Sequence, residues 1–136
     1  MKSKEELAPQ ARIALCLYVR FNNRHDRDSG VNGFSYIRSI LLDAFDVDVF
    51  IYSTDIEHAE VIDDLYSPWL KAKSFEAQLD FPQILKENEI SESNFQAQEG
   101  FRTLSNTLAF LYGRGHAINL ASEYARTNGI EYATVV

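Results

Sequence analysis

Short apolar runs alternate along the chain with stretches in which apolar residues recur at helical spacing. Residues 13–19 are continuously apolar and residues 47–52 are rich in β-forming side chains, which is typical of parallel strands buried on both faces. Residues 70–78 form a third candidate strand, and residues 130–136 form a last apolar one. The pattern therefore predicts about four strands.

Apolar residues at spacings of three and four predict helices between these strands. Pro68 ends the second predicted helix. Gly113 and Gly115 interrupt the last apolar stripe, over residues 101–125, and predict a joint between two helices. Asn128-Gly129 after that stripe is suited to a left-handed cap. The predicted helices cover residues 33–45, 56–66, 82–88, 101–111 and 118–125.

Strands that alternate with helices predict the α/β class, with a Rossmann-like, mostly parallel sheet of about four strands and flanking helices. The chain has 136 residues, of which 46% are hydrophobic, enough for one domain over residues 11–136 after a flexible leader over residues 1–10. Because Val136 lies inside an apolar run, we expect a domain truncated at its C-terminal strand. The sheet edge exposed in this way predicts association into a homo-oligomer.

Charge and cysteine content narrow the class of protein further. A net charge of −7 argues against general binding of nucleic acid or anionic membranes, although it leaves room for a local anion site. The lone Cys16 lies in an apolar run and predicts a buried side chain rather than a reactive thiol. No apolar run is long enough to span a membrane and the N-terminus lacks a signal-peptide pattern, so we predict a cytoplasmic protein.

Residues 20–33 follow the first predicted strand and form the first candidate site. In an open parallel sheet, ligands bind outside the carboxyl ends of the strands. Arginine matches phosphate oxygens, and a following helix N-terminus favours anions, so this polar loop predicts a diphosphate site. The alternative is a solvated loop whose arginines pair with Asp26 and Asp28. The candidate residues are Arg20, Arg24, Gly30 and Gly33.

Thr54 and Asp55, after the second strand, form the second candidate site, where a carboxylate can bind a ribose or a base edge. The alternative is that Asp55 caps the next helix. Asp46 and Asp48 have the spacing of a metal motif, but they precede the strand and so lie at the wrong end of the sheet. His58 is expected on a solvated helix face.

Three segments of the chain resemble a family of bacterial glycosyltransferase-like proteins of capsule and surface polysaccharide synthesis: residues 12–18, 45–51 and 121–136. The resemblance implies a GT-A-type fold in which Arg20 or Arg24 faces the diphosphate of a nucleotide sugar. It also implies that Thr54 or Asp55 faces the nucleoside. A divalent cation such as Mn²⁺ or Mg²⁺ would be held in a full-length relative by an acidic segment beyond Val136.

The resulting functional expectation is the nucleotide-sugar-binding part of a glycosyltransferase-like protein without a complete catalytic site. The sequence contains neither a nucleophile elbow nor a Ser-His-Asp order, so no motif indicates another catalytic chemistry. The alternative is a small non-catalytic α/β module that binds a nucleotide or a protein partner. The segment 113–116 is expected to be the joint between helices, or otherwise to line a site at a helix break.

Overall fold

The computed structural model describes residues 12–21, 24–91 and 104–136, with the backbone alone over residues 24–30. A π-helical turn, Arg38–Leu42, continues the first helix, and a 3₁₀ turn, Ile56–His58, precedes the second. The strands are β1 (Ile13–Tyr18), β2 (Val47–Ser53), β3 (Leu70–Phe75) and β4 (Thr134–Val135). The helices are α1 (Arg24–Ile37), α2 (Ala59–Tyr66), α3 (Phe81–Glu87) and α4 (Leu104–Asn128).

The strands form one parallel sheet in the order β3-β2-β1-β4, which confirms the predicted Rossmann-like α/β fold. Ile13 lies opposite Val47 and Tyr18 opposite Tyr52, so β1 and β2 end level with each other. The chain adds β2 and β3 on one side of β1 and then crosses to add β4 on the other side. The strand order therefore reverses at β1, and such switch points open a crevice at the carboxyl ends of the strands.

Helices cover both faces of the sheet, so that every residue of β2 is buried. The face of α1 and α2 buries one apolar core, and the face of α4 buries a second core that includes Cys16, which is 2% exposed as predicted. Residues of the first core are Leu15, Phe21, Phe34, Leu42, Val47, Val49, Ile51, Ile62 and Tyr66. Residues of the second are Ala14, Cys16, Phe50, Tyr52, Ala117 and Ala121.

Helix α1 begins at Arg24, so the prediction of a loop over residues 20–33 is wrong from that residue onward. Gly30 and Gly33 lie within the helix and not in a turn before it. Packing explains the helix, since Phe34 is buried with its ring 4.9 Å from that of Tyr66. Tertiary contacts of this kind override the low helix propensity of glycine and polar residues.

Helix α4 is continuous over 25 residues, so the predicted joint at 113–116 is wrong. The buried residues Gly113, Ala117 and Ala121 recur every fourth position and form the face that packs on the sheet. A β-carbon on Gly113 would lie 2.6 Å from the Tyr18 ring, so this glycine permits close packing and does not interrupt the helix. The predicted cap at Gly129 is confirmed by its φ of 64°.

The remaining elements agree with the predictions in position and differ in length. β3 ends at Phe75, and only Thr134 and Val135 of the last predicted strand pair with β1. The short helix α3 begins after Asp80, whose carboxylate accepts the Gln83 N–H at 3.1 Å. Over the ranges given above, no helix is long and apolar enough to cross a membrane.

The Tyr18–Gly113 contact predicts opposite effects for two neighbouring glycines of α4. Gly113→Ala should lower the free energy of unfolding by about 1–3 kcal/mol, because the added methyl collides with the Tyr18 ring. In the control Gly115→Ala, the added methyl meets open space. This variant should raise the free energy of unfolding by up to about 1 kcal/mol, because alanine has a higher helix propensity than glycine. Urea unfolding of both variants measures this, and equal effects would contradict the close contact.

Candidate functional site

Hydrogen bonds join the segments that follow β1 and β2 into one rigid unit. The Ser53 hydroxyl donates to the Val19 carbonyl at 2.5 Å and accepts the Asp55 N–H at 3.0 Å. The Phe21 N–H donates to Asp55 Oδ2 at 2.5 Å. Because Ser53 and Phe21 are also buried, these bonds hold the chain on either side of Arg20 in a set position.

Asp55 is the centre of this unit, and its alternative role as a helix cap is observed. Oδ1 accepts the His58 N–H at 3.4 Å, and both carboxylate oxygens lie within 3.0 Å of His58 Nδ1. Burial alone would raise the pKa of Asp55, but the Phe21 N–H and His58 outweigh it and hold that pKa below its ordinary value. Asp55 thus holds the segments after β1 and β2 together, and both its oxygens are already engaged.

His58 does not lie on a solvated helix face, and that prediction is wrong. Its side chain is only 13% exposed, since the ring packs 5.6 Å from the ring of Phe21 and binds Asp55. The imidazole therefore belongs to the rigid unit behind the carboxyl edge of the sheet.

The residues of the predicted arginine loop belong to different elements of the structure. Val19 and Phe21 pack into the core under α1 and α2, so the Arg20 side chain between them lies outside that core and is exposed at the end of β1. Arg24 is the first residue of α1. Gly30 and Gly33 belong to the later turns of that helix, away from its N-terminus.

On the α4 side, side chains from the ends of three neighbouring strands meet. The Tyr18 hydroxyl lies 3.4 Å from Thr54 Oγ1 and donates to Gln78 Oε1 at the same distance. The Tyr52 hydroxyl donates to Glu76 Oε2 at 3.1 Å. Burial, followed by this bond and by the Glu76 charge, raises the pKa of Tyr52 above its ordinary value.

Helix α4 adds aromatic rings to this edge. The His116 ring stacks on Tyr52 with centroids 4.7 Å apart, and Tyr112 lies 4.4 Å from His116. The same helix carries Arg114, whose buried Nε has no hydrogen-bond partner among the residues that the structure describes. Burial raises the pKa of the Cys16 thiol, and the Arg114 charge opposes that rise.

Asp46 and Asp48 are occupied by structural contacts. Arg12 Nη2 lies 3.1 Å from Asp48 Oδ2, which also accepts the Tyr132 hydroxyl at 2.7 Å, and Arg12 Nε lies 3.9 Å from Asp46. In the described ranges, no group of three or more His, Cys, Asp or Glu residues could hold a metal ion. These residues do not fit the divalent cation that the family resemblance implies for a longer relative.

Several side chains at this edge carry no motif that marks them in the sequence. The available signal is positional, because Tyr18 is the last residue of β1 and Tyr52 the penultimate residue of β2. Glu76 and Gln78 follow β3 at alternate positions and so reach the same side. Tyr112 and His116 reach the edge only because α4 is continuous.

Comparisons with protein-family models, with curated proteins and with solved structures find no match to this chain. The resemblance to glycosyltransferase-like proteins therefore stays a prediction. The geometry itself points to the carboxyl end of β1, where an exposed arginine stands on a rigid loop at the switch point of the sheet.

The hydrogen bonds of Asp55 predict a pH-dependent contribution to stability. Asp55→Ala should lower the free energy of unfolding at neutral pH by about 2–4 kcal/mol, through loss of a cap and a charge-assisted bond. Because the folded pKa is lowered, this contribution is present above the unfolded pKa of about 4 and disappears as the pH falls through the folded pKa.

Urea unfolding between neutral pH and pH 3 tests this expectation. The wild-type chain should lose more stability on acidification than Asp55→Ala, so that the two curves converge. Asp64→Asn, a change at an exposed carboxylate on α2, serves as the control and should follow the wild type. Parallel curves for wild type and Asp55→Ala would contradict the role of this carboxylate.

Proposed function

We propose that this chain is the nucleotide-sugar-binding part of a glycosyltransferase-like protein and that it binds the diphosphate at the carboxyl end of β1. The supporting observation is the reversal of strand order at β1, between β2 and β4. At such a point the connections leave the sheet in opposite directions, and the crevice between them receives nucleotides in open α/β sheets.

The charges near β1 suit an anion. Arg20 is exposed at the end of the strand. Arginine offers planar, paired donors that match phosphate oxygens. Arg114 of α4 is a second candidate, because its buried Nε is a donor without an acceptor among the described residues and its charge acts on the Cys16 thiol of β1. In a chain of net charge −7, an exposed arginine at this point is a local exception.

The rigid unit around Asp55 supports the same proposal. Binding of a ligand costs less free energy when the loop that contacts it is already ordered. Phe21 anchors the loop in the core, and Asp55 holds its backbone N–H, so Arg20 is presented without a rearrangement of its neighbours. Thr54 of the second loop lies beside the Tyr18 hydroxyl at the same edge. In this proposal Asp55 positions that loop and its oxygens do not contact the ligand.

Calorimetric titration with UDP, GDP and CDP tests the diphosphate site. One nucleotide should bind, and Arg20→Ala should weaken it about 10- to 100-fold, as expected for loss of a charge-assisted contact worth about 1.5–3 kcal/mol. Arg126→Ala, in the last turn of α4, removes the same charge and should leave the affinity within about twofold.

Two results would contradict this proposal. Absence of binding by every nucleotide would overturn the diphosphate site. Equal weakening by Arg20→Ala and Arg126→Ala would show a general charge effect and not a contact at β1.

One observation favours the alternative of a module that associates with a protein, here a second copy of the chain. The outer edge of β4 has no strand partner among the residues described, and Val135 there is 53% exposed. The other edge strand, β3, carries Lys71 and Lys73, which oppose strand pairing. We propose self-association through β4.

Sedimentation over a range of concentrations tests this association. The wild-type chain should form dimers, and Val135→Lys should shift it to monomer by placing a charge in the pairing edge. Ile40→Lys, at an equally exposed apolar residue of the π-helical turn, should leave the dimer intact. A monomer at all concentrations, or dissociation by Ile40→Lys alone, would overturn the β4 interface.

A further inference from the structure

A group of side chains beside Arg20 is left unexplained by a diphosphate site. It forms a band along the carboxyl ends of β1, β2 and β3 on the α4 side, which we name the β2–β3 rim. Its members are Tyr18, Thr54, Glu76, Gln78, Tyr112 and His116.

The Tyr18 hydroxyl is held by long hydrogen bonds at the β2–β3 rim. It meets both of its partners, Thr54 and Gln78, at 3.4 Å, and Ser74 meets Glu76 Oε1 at 3.5 Å. The Tyr52 hydroxyl holds the other oxygen of Glu76 at 3.1 Å. Hydroxyl bonds are strongest near about 2.7–2.8 Å, so the Tyr18 hydroxyl and its two partners keep capacity for other hydrogen bonds.

The aromatic rings next to these polar groups are packed on one another. His116 stacks on Tyr52 with an interplanar angle of 27°, and Tyr112 contacts both rings. Phe81 of α3 packs edge-on against Tyr112 at 5.9 Å. Because His116 covers one face of the buried Tyr52 ring, a flat base has no slot between these two rings. The rings form a floor whose half-buried outer members are Tyr112 and His116.

The polar groups on this floor alternate in hydrogen-bonding character. Tyr18 and Thr54 carry hydroxyls that both donate and accept, Gln78 carries an amide that does both, and Glu76 accepts. A ligand that satisfies such a set needs several hydroxyl groups at its edge and C–H groups toward the aromatic floor. A pyranose ring has this chemistry, because its hydroxyls point outward while its C–H groups can pack on an aromatic face.

We infer that the β2–β3 rim binds the sugar of the nucleotide sugar, an assignment that rests on the diphosphate site proposed at Arg20. Tyr18 precedes Arg20 by two residues, which in an extended chain places them about 6–7 Å apart on one side. A sugar joined to a diphosphate at Arg20 therefore reaches the Tyr18 hydroxyl. Gln78 and Glu76 then meet its outer hydroxyls, and Tyr112 and His116 lie under the ring.

A calorimetric comparison of UDP with UDP-glucose and of GDP with GDP-mannose tests this assignment. The sugar nucleotide should bind about 5- to 10-fold more tightly than the matching diphosphate, as expected for one or two added neutral hydrogen bonds. Gln78→Ala and Glu76→Gln should remove most of that advantage and change the affinity for the diphosphate by less than about twofold. Both residues are exposed, so the variants should fold.

Matched controls are available on α3. Gln83→Ala and Glu87→Gln make the same changes at exposed positions outside the rim and should retain the full advantage of the sugar nucleotide. Loss of the advantage in these controls, or its persistence in Gln78→Ala and Glu76→Gln, would overturn the assignment.

Free glucose and free mannose, followed by NMR, separate the sugar site from the diphosphate site. Shifts of the Tyr112 and His116 ring signals, absent in Gln78→Ala, would support the rim even if no nucleotide binds. Nucleotide binding without a sugar advantage and without these shifts would overturn the rim and leave the diphosphate site standing. Absence of both kinds of binding would overturn both.

Discussion

Close packing of α4 on the sheet is the constraint on which the arrangement of this protein depends. Gly113, Ala117 and Ala121 present backbone and methyl groups to the strands, which lets the helix approach near enough for Tyr18 to contact Gly113 directly. At about 1.5 Å per residue, α4 is far longer than the six-residue strand β1 that it crosses. Gly113 lies against Tyr18, the last residue of β1, and Tyr112 and His116 contact Tyr52 near the end of β2, so this part of α4 lies at the carboxyl edge of the sheet.

The carboxyl edge has two sides with different physical character. Under α1 and α2, hydrogen bonds and buried aromatic contacts join Phe21, Ser53, Asp55 and His58 into a unit whose polar groups are already engaged. Under α4, the Tyr18 hydroxyl meets Thr54 and Gln78 at 3.4 Å. The proposed site would use both sides, because rigid support limits the entropy lost on binding and loosely held groups can accept new partners.

Acidic residues have different roles at the amino ends and at the carboxyl ends of the strands. Asp46 and Asp48 hold Arg12 at the amino ends of the strands, and Asp48 also accepts from Tyr132, which joins β2 to the segment before β4. At the carboxyl ends, Asp55 is engaged by the backbone and by His58. Arg20 is thus left exposed next to a carboxylate that is already engaged, so this acidic chain carries an exposed cation at the end of β1.

Residue types alone predict the fold class, the positions of β1 and β2, and the left-handed cap at Gly129. They do so because burial on both faces and positive φ impose local patterns on the chain. It did not determine whether glycines end a helix, since Gly30 and Gly33 lie inside α1 through the packing of Phe34, and Gly113 is needed for contact with Tyr18. The order of the strands in the sheet likewise follows from long-range contacts and not from any local pattern. Arg20 could be proposed from its place after a strand, whereas the β2–β3 rim unites side chains up to 98 positions apart, from Tyr18 to His116. Such a grouping depends on which strands are neighbours and on how closely α4 packs, and neither leaves a local pattern in the chain.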